Sequence, residues 1–254
     1  MSLSHPLNIA SSVMASTACL WRGTQTHPAG TRPQRPLELY DMEGCPFCRL
    51  VREVLSELDL EVVIYPCPKG GSRFRTQVEK RGGKQQFPYL VDPNTGTEMY
   101  ESRDIIHYLF KTYGQRPVPI KWKAHSMNVA SSTLGSVLRG GHGIRLQKAS
   151  PVEKPLELYS FESSPYARPV REKLCELEIP YLLHNVGKVQ LADYILPEIR
   201  RRFFPNIPVK GEKRIELKER SGRLMIPYLV DPNTGKSLHE SADILRYLDA
   251  TYAQ

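Results

Sequence analysis

An internal repeat is the feature that most constrains how this chain can fold. Residues 37–58 match residues 156–177 at 13 of 22 positions, at an offset of 119. The block Pro88–Gly96 recurs unchanged as Pro227–Gly235 at an offset of 139, so the second copy carries 20 additional residues between the two blocks. Such a repeat indicates two folding units built alike, and a chain of 254 residues is long enough for two small domains.

In the first copy, the spacing of apolar residues changes along the chain in a defined order. Alternation of apolar and polar residues predicts a strand, whereas apolar residues three and four positions apart predict a helix. The predicted elements are a strand at 37–40, a helix carrying Val51, Val54, Leu55 and Leu58, a strand at 61–65, a helix at about 73–80, strands at 88–91 and 98–100, and a last helix capped by Ser102. In this βαβαββα order a helix connects the first two strands, which are therefore expected to be parallel.

The first 36 residues contain no acidic residue and many Ser, Thr and Arg, a composition typical of organelle transit peptides. However, Leu7–Ser12 resembles Met127–Ser132, which lies in the middle of the chain. We therefore interpret both segments as short helical arms, one preceding each unit. A cleaved leader that directs the protein to the plastid stroma is the alternative.

The repeat and the prolines around it predict the domain boundaries. An N-terminal helical arm covers residues 1–36, the first unit (module 1) residues 37–115, a linker with the second arm residues 116–155, and the second unit (module 2) residues 156–254. The expected fold class is α/β, with two tandem units, each preceded by a helical arm.

The composition excludes several classes of protein. No stretch approaches the roughly 18 apolar residues of a membrane-spanning helix. The chain has five cysteines, of which only Cys45 and Cys48 are close together, so they do not form the paired framework of a small secreted domain. We expect a reducing compartment, the cytoplasm.

The charge is uneven along the chain. The formal charge is +8, and residues 200–223 contain nine Lys or Arg against three Glu. Because no nucleic-acid-binding motif accompanies this segment, we expect no nucleic-acid partner and interpret it as a solvated helix and loop, or as a docking surface for an acidic protein.

The motif Cys45-Pro46-Phe47-Cys48 carries the clearest chemistry. It lies between the first strand and the first helix, where unpaired amide N–H groups and the helix dipole favour a thiolate. Cys45 is therefore the predicted nucleophile, and Cys48, one helical turn later, is the thiol that resolves a mixed disulfide. A zinc site needs a second close pair, whereas Cys67 and Cys175 are isolated, so we expect no metal and assign both of them structural roles.

The combination of motifs resembles a known family. A strand, Cys-Pro-aromatic-Cys, an amphipathic helix, an apolar residue before proline and a Glu-Ser pair at a helix start are similar to the glutaredoxin and glutathione S-transferase N-terminal branch of the thioredoxin-like superfamily. The repeat most resembles proteins with two tandem domains of this type, found in bacteria and plastids. The resemblance implies two thioredoxin-like domains with cis peptide bonds at Phe87-Pro88 and Ile226-Pro227.

Glutathione is the co-substrate that this resemblance implies. In the family, the residue before the cis proline offers its backbone to the cysteinyl part of glutathione, and the Glu-Ser pair receives the γ-glutamyl end. These roles fall on Phe87, Pro88, Glu101 and Ser102 in the first copy. The helix amides behind Ser102 can receive the γ-glutamyl carboxylate, and Glu101 can meet the ammonium group. The alternative is that Ser102 is only a helix cap.

The sequence departs from the glutaredoxin pattern before the first cysteine. Many glutaredoxins carry a lysine there, whereas this chain has Met42 between Asp41 and Glu43. Two acidic neighbours oppose thiolate formation, so we expect Cys45 to be less acidic than in a typical glutaredoxin. The cation that receives the glycine carboxylate is then Arg73, Arg75 or Lys84, and spacing does not choose among them.

The second copy has Ser164-Pro165-Tyr166-Ala167 in place of the two cysteines, so dithiol exchange is excluded there. The pattern is similar to that of omega-class glutathione transferases with serine in place of cysteine. The resemblance implies that Ser164 stabilises a bound glutathione thiolate; a plain N-cap is the alternative. The remaining glutathione-binding elements of this copy would be Ile226, Pro227, Glu240 and Ser241.

These observations lead to one main functional hypothesis and two alternatives. The main hypothesis is a glutathione-dependent thiol–disulfide oxidoreductase that acts on disulfide or glutathionylated protein substrates. The first alternative is a glutathione transferase that uses Ser164. However, the 37 or so residues after module 1 are too few for the all-helical domain that such enzymes carry. The second alternative is a non-catalytic scaffold that binds glutathione or an iron–sulfur cluster.

Overall fold

The computed structural model describes residues 5–195, 199, 202–204 and 206–254. Module 1 and its arm contain α1 (His5–Ala18), β1 (Leu37–Asp41), α2 (Pro46–Leu58), β2 (Val62–Pro66), α3 (Arg75–Gly82), β3 (Tyr89–Asp92), β4 (Thr97–Met99) and α4 (Ser102–Leu109), which a π-helical turn continues over Phe110–Gly114. The order of strands and helices after the arm is the predicted βαβαββα.

The second half repeats this succession. The linker holds α5 (Ile120–Lys123) and α6 (His125–Leu138). Module 2 holds β5 (Leu156–Ser160), α7 (Arg168–Glu176), β6 (Tyr181–Asn185), a 3₁₀ turn at Leu191–Tyr194, α8 (Glu212–Ser221), β7 (Tyr228–Asp231), β8 (Lys236–His239) and α9 (Ser241–Tyr252). The mixed α/β class and the helical arm before each unit are therefore as predicted.

The two modules share one sheet of eight strands in the order β4-β3-β1-β2-β6-β5-β7-β8. The seam is the antiparallel pair of β2 and β6, in which Val63 lies opposite Leu182. Within each module, the strand pair flanking the first helix is parallel, as the crossover connection requires. The sequence contained no signal for this seam, and the division into two separate domains stays a prediction.

Each module places its largest apolar cluster on the face of the sheet that α2 or α7 covers. Leu39 and Leu158 belong to one continuous core that includes residues of both modules. The next residue of each strand, Tyr40 or Tyr159, points to the opposite face, where α3 or α8 covers it. Leu217 of α8 is buried there, so this part of the basic segment is the counterpart of α3.

The helical arms cross between the modules. Arm helix α6 packs against α2 of module 1, and Ser132 of α6 donates its hydroxyl to the carbonyl of Pro46 at 2.9 Å. Arm helix α1 packs against α6 and against α7 of module 2, and Ser16 of α1 donates to the carbonyl of Ser163 at 2.8 Å. Each module is therefore covered by the arm that precedes the other one.

Two details differ from the predictions, and one prediction falls partly outside the described residues. The second helix of module 1 begins at Arg75 rather than Arg73. Ser102 is not a cap, because Glu101 occupies the N-cap position with φ 67° and no side-chain oxygen accepts from the first turn. In the basic segment, Arg200, Arg201 and Pro205 lie outside the described residues.

The basic segment is partly neutralised where the structure describes it. Lys213 pairs with Glu61 at 2.8 Å, Arg214 with Asp193 at 3.2 Å, and Arg220 pairs with Glu157. Separately, no helix in the described part of the chain is both long and apolar enough to cross a membrane.

Candidate functional site

The sheet places the predicted site elements of module 1 close together at the carboxyl end of β1. Strand β3 pairs Tyr89 with Tyr40, and β4 pairs Met99 with Leu90. Extending both registers by one or two residues places Pro88 beside Asp41 on one side and Glu101 on the other. The loop to Cys45 begins directly after Asp41. The cysteine loop, the cis proline and the Glu-Ser pair therefore meet where β1 ends.

Cys45 occupies the N-cap position of α2, with Pro46 as the first helical residue. Its carbonyl accepts from the amide of Arg49 at 3.1 Å, which starts the helix. The side chain is 8% exposed, whereas Cys48 is fully buried and Phe47 is 43% exposed. Of the two cysteines, Cys45 is thus the one that solvent reaches.

The two thiols have opposite pKa shifts. A hydrogen bond from Cys48 lowers the pKa of Cys45 to about 7, against the opposing effects of burial and of the charge of Asp41. Burial and the hydrogen bond to Cys45 raise the pKa of Cys48 well above its ordinary value. Asp41 thus acts in the direction expected from the sequence, but its effect is smaller than that of the neighbouring thiol. At neutral pH the arrangement favours a Cys45 thiolate beside a protonated Cys48.

The peptide bonds Phe87-Pro88 and Ile226-Pro227 are both cis, as the resemblance implied. The structure also distinguishes among the three candidate cations for the glycine carboxylate, which sequence spacing did not. Arg75 lies over the ring of Phe87, 4.8 Å from its centre, whereas Lys84 lies over Tyr100. The guanidinium of Arg73 donates to backbone carbonyls of module 2 and of the linker. Arg75 is therefore the cation beside the backbone that is expected to receive the cysteinyl part of glutathione.

The Glu-Ser pair forms the start of α4. Ser102 is buried and is the first residue of the helix, while the side chain of Glu101 is exposed and accepts from Gln86. The hydroxyl of Ser102 lies 3.5 Å from Nε2 of His125, the first residue of α6. A helix start, a hydroxyl and an imidazole thus converge at this end of the site.

Module 2 holds the cysteine loop of module 1 in place. The amide of Glu43 donates to the sulfur of Cys175 at 3.4 Å, and the amide of Gly44 donates to the carbonyl of Gly143 at 3.2 Å. A Cβ on Gly44 would lie 2.4 Å from the side chain of Ile144, so glycine is required for this close approach. The loop is therefore fixed by the second arm and by α7.

A buried charge cluster joins the modules behind this loop. Arg52 donates to Glu162 at 3.0 Å, and Arg171 donates to Glu43 at 3.1 Å, so each module's arginine binds the other module's glutamate. Arg52 also pairs with Asp41. Burial alone would raise the pKa of Glu162, but Arg171 and Arg52 lower it to about 2. Burial raises the pKa of Asp41 and of Glu43 instead, so Glu162 is the carboxylate that the two arginines hold ionised. The cluster links the two modules across their interface.

The equivalent position in module 2 carries Ser164 in place of Cys45. The carbonyl of Ser164 accepts from the amide of Arg168 at 3.1 Å, as that of Cys45 does from Arg49. The hydroxyl of Ser164 accepts from the amide of Ala167 at 3.3 Å, and the residue is buried. Helix α7 begins at Arg168 with Ala167 at its N-cap position, so Ser164 is not the N-cap of this helix. Ile226, Pro227, Glu240 and Ser241 repeat the arrangement of module 1, including the positive φ of 66° at Glu240.

The remaining cysteines are buried thiols, and no described cysteine forms a disulfide. Cys67 is fully buried, and burial raises its pKa. Cys175 lies on α7 and donates to the carbonyl of Gly143 at 3.3 Å. Among the described residues, no group of three or more His, Cys, Asp and Glu side chains is placed to hold a metal ion.

The sequence analysis did not identify three residues around the site, Arg52, Arg171 and His125. It also did not distinguish Arg75 from the two other candidate cations. A signal for some of them was available. Three charged residues of the first copy, Glu43, Arg52 and Glu53, recur unchanged in the second copy as Glu162, Arg171 and Glu172. The two cysteines between them in the first copy are replaced in the second copy. His125 likewise has its counterpart in His5 at an offset of 120.

Comparison with known proteins gives a consistent result. Residues 39–117 and 158–254 each match the profile of the family described as glutathione S-transferase, N-terminal domain. A solved structure of the glutathione transferase BmGSTD1 from Bombyx mori is 28% identical over 34% of this chain and 39% of that one, with a TM-score of 0.29. This chain thus matches about two fifths of the length of that transferase. No curated protein matches the chain.

Proposed function

The chain belongs to the glutathione S-transferase N-terminal domain family, in two copies, and on this premise we propose that it is a glutathione-dependent thiol–disulfide oxidoreductase. The observation that carries the proposal is the position of Cys45 at the N-cap of α2, one helical turn before the buried Cys48, and the lowered pKa of Cys45 supports it. A thiolate at neutral pH is the attacking form of cysteine in disulfide exchange. Cys45 is the nucleophile and the second module has none at the same position.

The first step releases the substrate thiol. The Cys45 thiolate attacks the glutathione sulfur of a glutathionylated protein, so a Cys45–glutathione disulfide forms and the protein leaves as a thiolate that takes a proton from water. One disulfide is broken and one is formed, and no external oxidant or reductant is needed. The exposure of Phe47 beside Cys45 leaves room for a protein substrate at this edge.

The second step can follow two routes. Free glutathione attacks the mixed disulfide and leaves as oxidised glutathione, or Cys48 attacks it and releases reduced glutathione, which leaves a Cys45–Cys48 disulfide. The raised pKa and complete burial of Cys48 disfavour its thiolate. We therefore propose that free glutathione resolves most of the intermediate, and that the main role of Cys48 is its hydrogen bond to Cys45.

The glutathione molecule would lie along the sheet edge. The backbone of Phe87, before Pro88, receives the cysteinyl part, and Arg75, above the ring of Phe87, receives the glycine carboxylate. The start of α4 at Ser102 and the carboxylate of Glu101 receive the two charges of the γ-glutamyl end. The residues present suit a zwitterionic tripeptide, because they offer cations, a helix start and a carboxylate.

Module 2 serves mainly as a support for the cysteine loop in this proposal. Its Ile226, Pro227, Glu240 and Ser241 could still bind glutathione. The transferase alternative requires a Ser164 hydroxyl that glutathione can reach, whereas Ser164 is buried, which disfavours that alternative. The cysteine usage supports a reducing compartment, and we propose the cytoplasm, with disulfide or glutathionylated proteins as substrates.

The test is reduction of a glutathionylated peptide by the full chain with glutathione in excess. Cys45→Ser is expected to lower the rate by on the order of 10³-fold, because a hydroxyl does not ionise in this pH range. Cys19→Ser is the matched control, since it changes a buried thiol that follows the first arm helix and has no role in the proposed site, and it should keep the activity. Equal rates for Cys45→Ser and the unchanged protein would refute the proposal.

A further inference from the structure

Both arms begin with a histidine that contacts the serine of a Glu-Ser pair. In module 1, Nε2 of His125 lies 3.5 Å from the hydroxyl of Ser102. In module 2, Nε2 of His5 lies 3.4 Å from the hydroxyl of Ser241, although 236 positions separate them in the chain. The same contact therefore forms twice, from two different arms, in modules whose cysteine positions have diverged.

The contact is too long to be explained as a strong hydrogen bond between the two side chains. A distance of 3.4 to 3.5 Å is at the limit for oxygen and nitrogen. Two donors at this separation are instead suited to share one acceptor oxygen. In addition, Nδ1 of His5 is buried without a hydrogen-bond partner among the described residues.

The surroundings favour an anionic acceptor. The amides at the start of α4 have no acceptors within the helix and carry the positive end of its dipole. Burial and the nearby Arg103 lower the pKa of His125, so its imidazole is neutral at pH 7 and can donate one hydrogen bond without repelling an ammonium group. The carboxylate of Glu101 lies on the adjacent residue and is directed to solvent.

We propose that His125 is a specificity-determining residue of the module 1 site, where its imidazole and the hydroxyl of Ser102 bind the α-carboxylate of the γ-glutamyl group together. This inference rests on the proposed function, which it deepens by assigning a ligand contact to the arm. The arm that carries His125 also carries Ser132, which bonds to Pro46 beside Cys45. One helix thus contacts both the proposed γ-glutamyl subsite and the start of α2 beside Cys45.

The experiment measures ligand binding at the Cys45 site alone, as protection of Cys45 from alkylation by iodoacetamide. The probes are S-methylglutathione and the analogue S-methyl-(4-aminobutyryl)cysteinylglycine, which lacks only the α-carboxylate. His125→Ala is expected to weaken binding of S-methylglutathione about tenfold, as loss of a hydrogen bond to a charged group does. His125→Gln, which keeps a donor, should recover most of this loss.

The analogue separates ligand contact from structural support. His125→Ala should leave its binding unchanged, because the carboxylate is already absent. His5→Ala is the matched control, since it removes the equivalent contact from module 2 and should not change protection of Cys45.

Three results would contradict the inference. Equal weakening of both probes by His125→Ala would indicate a merely structural role, and unchanged binding of S-methylglutathione would exclude the contact. In both cases the proposed function would remain. If the unchanged protein fails to bind S-methylglutathione at all, the proposed function fails together with the inference.

Discussion

The two modules have the same fold and differ at the position of the Cys-Pro-Phe-Cys motif. Both have a cis proline, a Glu-Ser pair and an aspartate that accepts hydrogen bonds from two tyrosines, Asp92 in module 1 and Asp231 in module 2. Module 1 has two thiols with opposite pKa shifts, whereas module 2 has a buried serine and an alanine at the same positions. The comparison teaches that the same scaffold forms with and without the two thiols.

What module 2 has kept is the means to hold module 1. Its α7 provides the sulfur that accepts from Glu43 and the guanidinium of Arg171 that binds the same residue. Both contacts are made to Glu43, two residues before Cys45. The copy without a nucleophile thus contributes to the site by positioning the loop of the other copy.

The largest difference between the modules should appear in the free energy of unfolding when the arginines of the buried charge cluster, Arg52 and Arg171, are replaced. Arg52 and Arg171 occupy equivalent positions, but only Arg52 pairs with an aspartate, Asp41, where module 2 has Ser160. Arg52→Met should destabilise the chain by about 3–5 kcal/mol, because it leaves buried carboxylates without a partner.

Arg171→Met should lower the free energy of unfolding by about 1–3 kcal/mol less than Arg52→Met does. This difference is the penalty of one unsatisfied buried group. Chemical denaturation followed by circular dichroism measures both free energies of unfolding. Equal losses would show that Asp41 adds nothing to the cluster.

A second test returns two thiols to module 2. In a Cys45→Ser background, Ser164→Cys combined with Ala167→Cys should raise the rate of peptide deglutathionylation at least about tenfold, because the pair restores thiols at the positions that correspond to Cys45 and Cys48. Ser163→Cys with Ala167→Cys is the matched control, since Ser163 is buried against Thr24 and should give no gain. No gain from the first pair would mean that the modules differ in more than the two thiols.

The seam between the modules should respond to pH. His184 of β6 lies between Glu61, which directly precedes β2, and Glu157 of β5. Lys213 also pairs with Glu61, and Arg220 pairs with Glu157. Burial opposes charging of His184, but the two carboxylates raise its pKa above the ordinary 6.5.

Since a raised pKa stabilises the fold only while the group is protonated, this contribution is complete below pH 6.5 and is lost as pH rises through the raised value. Thermal unfolding between pH 5 and 9 should therefore show a decline in the melting temperature that His184→Gln reduces. If the melting temperature of His184→Gln declined with pH as steeply as that of the unchanged protein, His184 would not be the cause of the decline.

The smallest difference is expected at the two aspartates. Tyr113→Phe and Tyr252→Phe each remove a hydroxyl that donates to Asp92 or Asp231. Each should lower the free energy of unfolding by about 1 kcal/mol, and the two losses should be equal within error. Unequal losses, measured by denaturation under the same conditions, would show that the scaffolds have diverged as well.

The order of strands and helices could be predicted from the sequence because local periodicity determines it. Val51 and Leu58 mark the buried stripe of α2, and the repeat supplied a second copy of each signal. The cis bonds and the Glu-Ser position followed from the family resemblance. Ser102 was wrongly predicted as a cap, because propensity does not report that Glu101 adopts φ 67°.

The docking of the two modules could not be predicted from periodicity. Arg49, Arg52 and Glu53 lie on the polar side of α2, which a single unit would expose to water, yet all three are buried. A polar face gives the same sequence pattern whether it contacts solvent or another charged face. The seam between β2 and β6 was hidden for a related reason, because backbone pairing at a sheet edge leaves no mark in the side chains.

The most direct test of the account is the pH dependence of Cys45 alkylation in the full chain. The account predicts a midpoint near pH 7, the pKa that the hydrogen bond from Cys48 produces. Cys48→Ala should move this midpoint upward, whereas Cys48→Ser, which keeps a donor at the same place, should retain most of the shift. A midpoint near that of an unperturbed cysteine, about 8.5, in the unchanged protein would contradict the account.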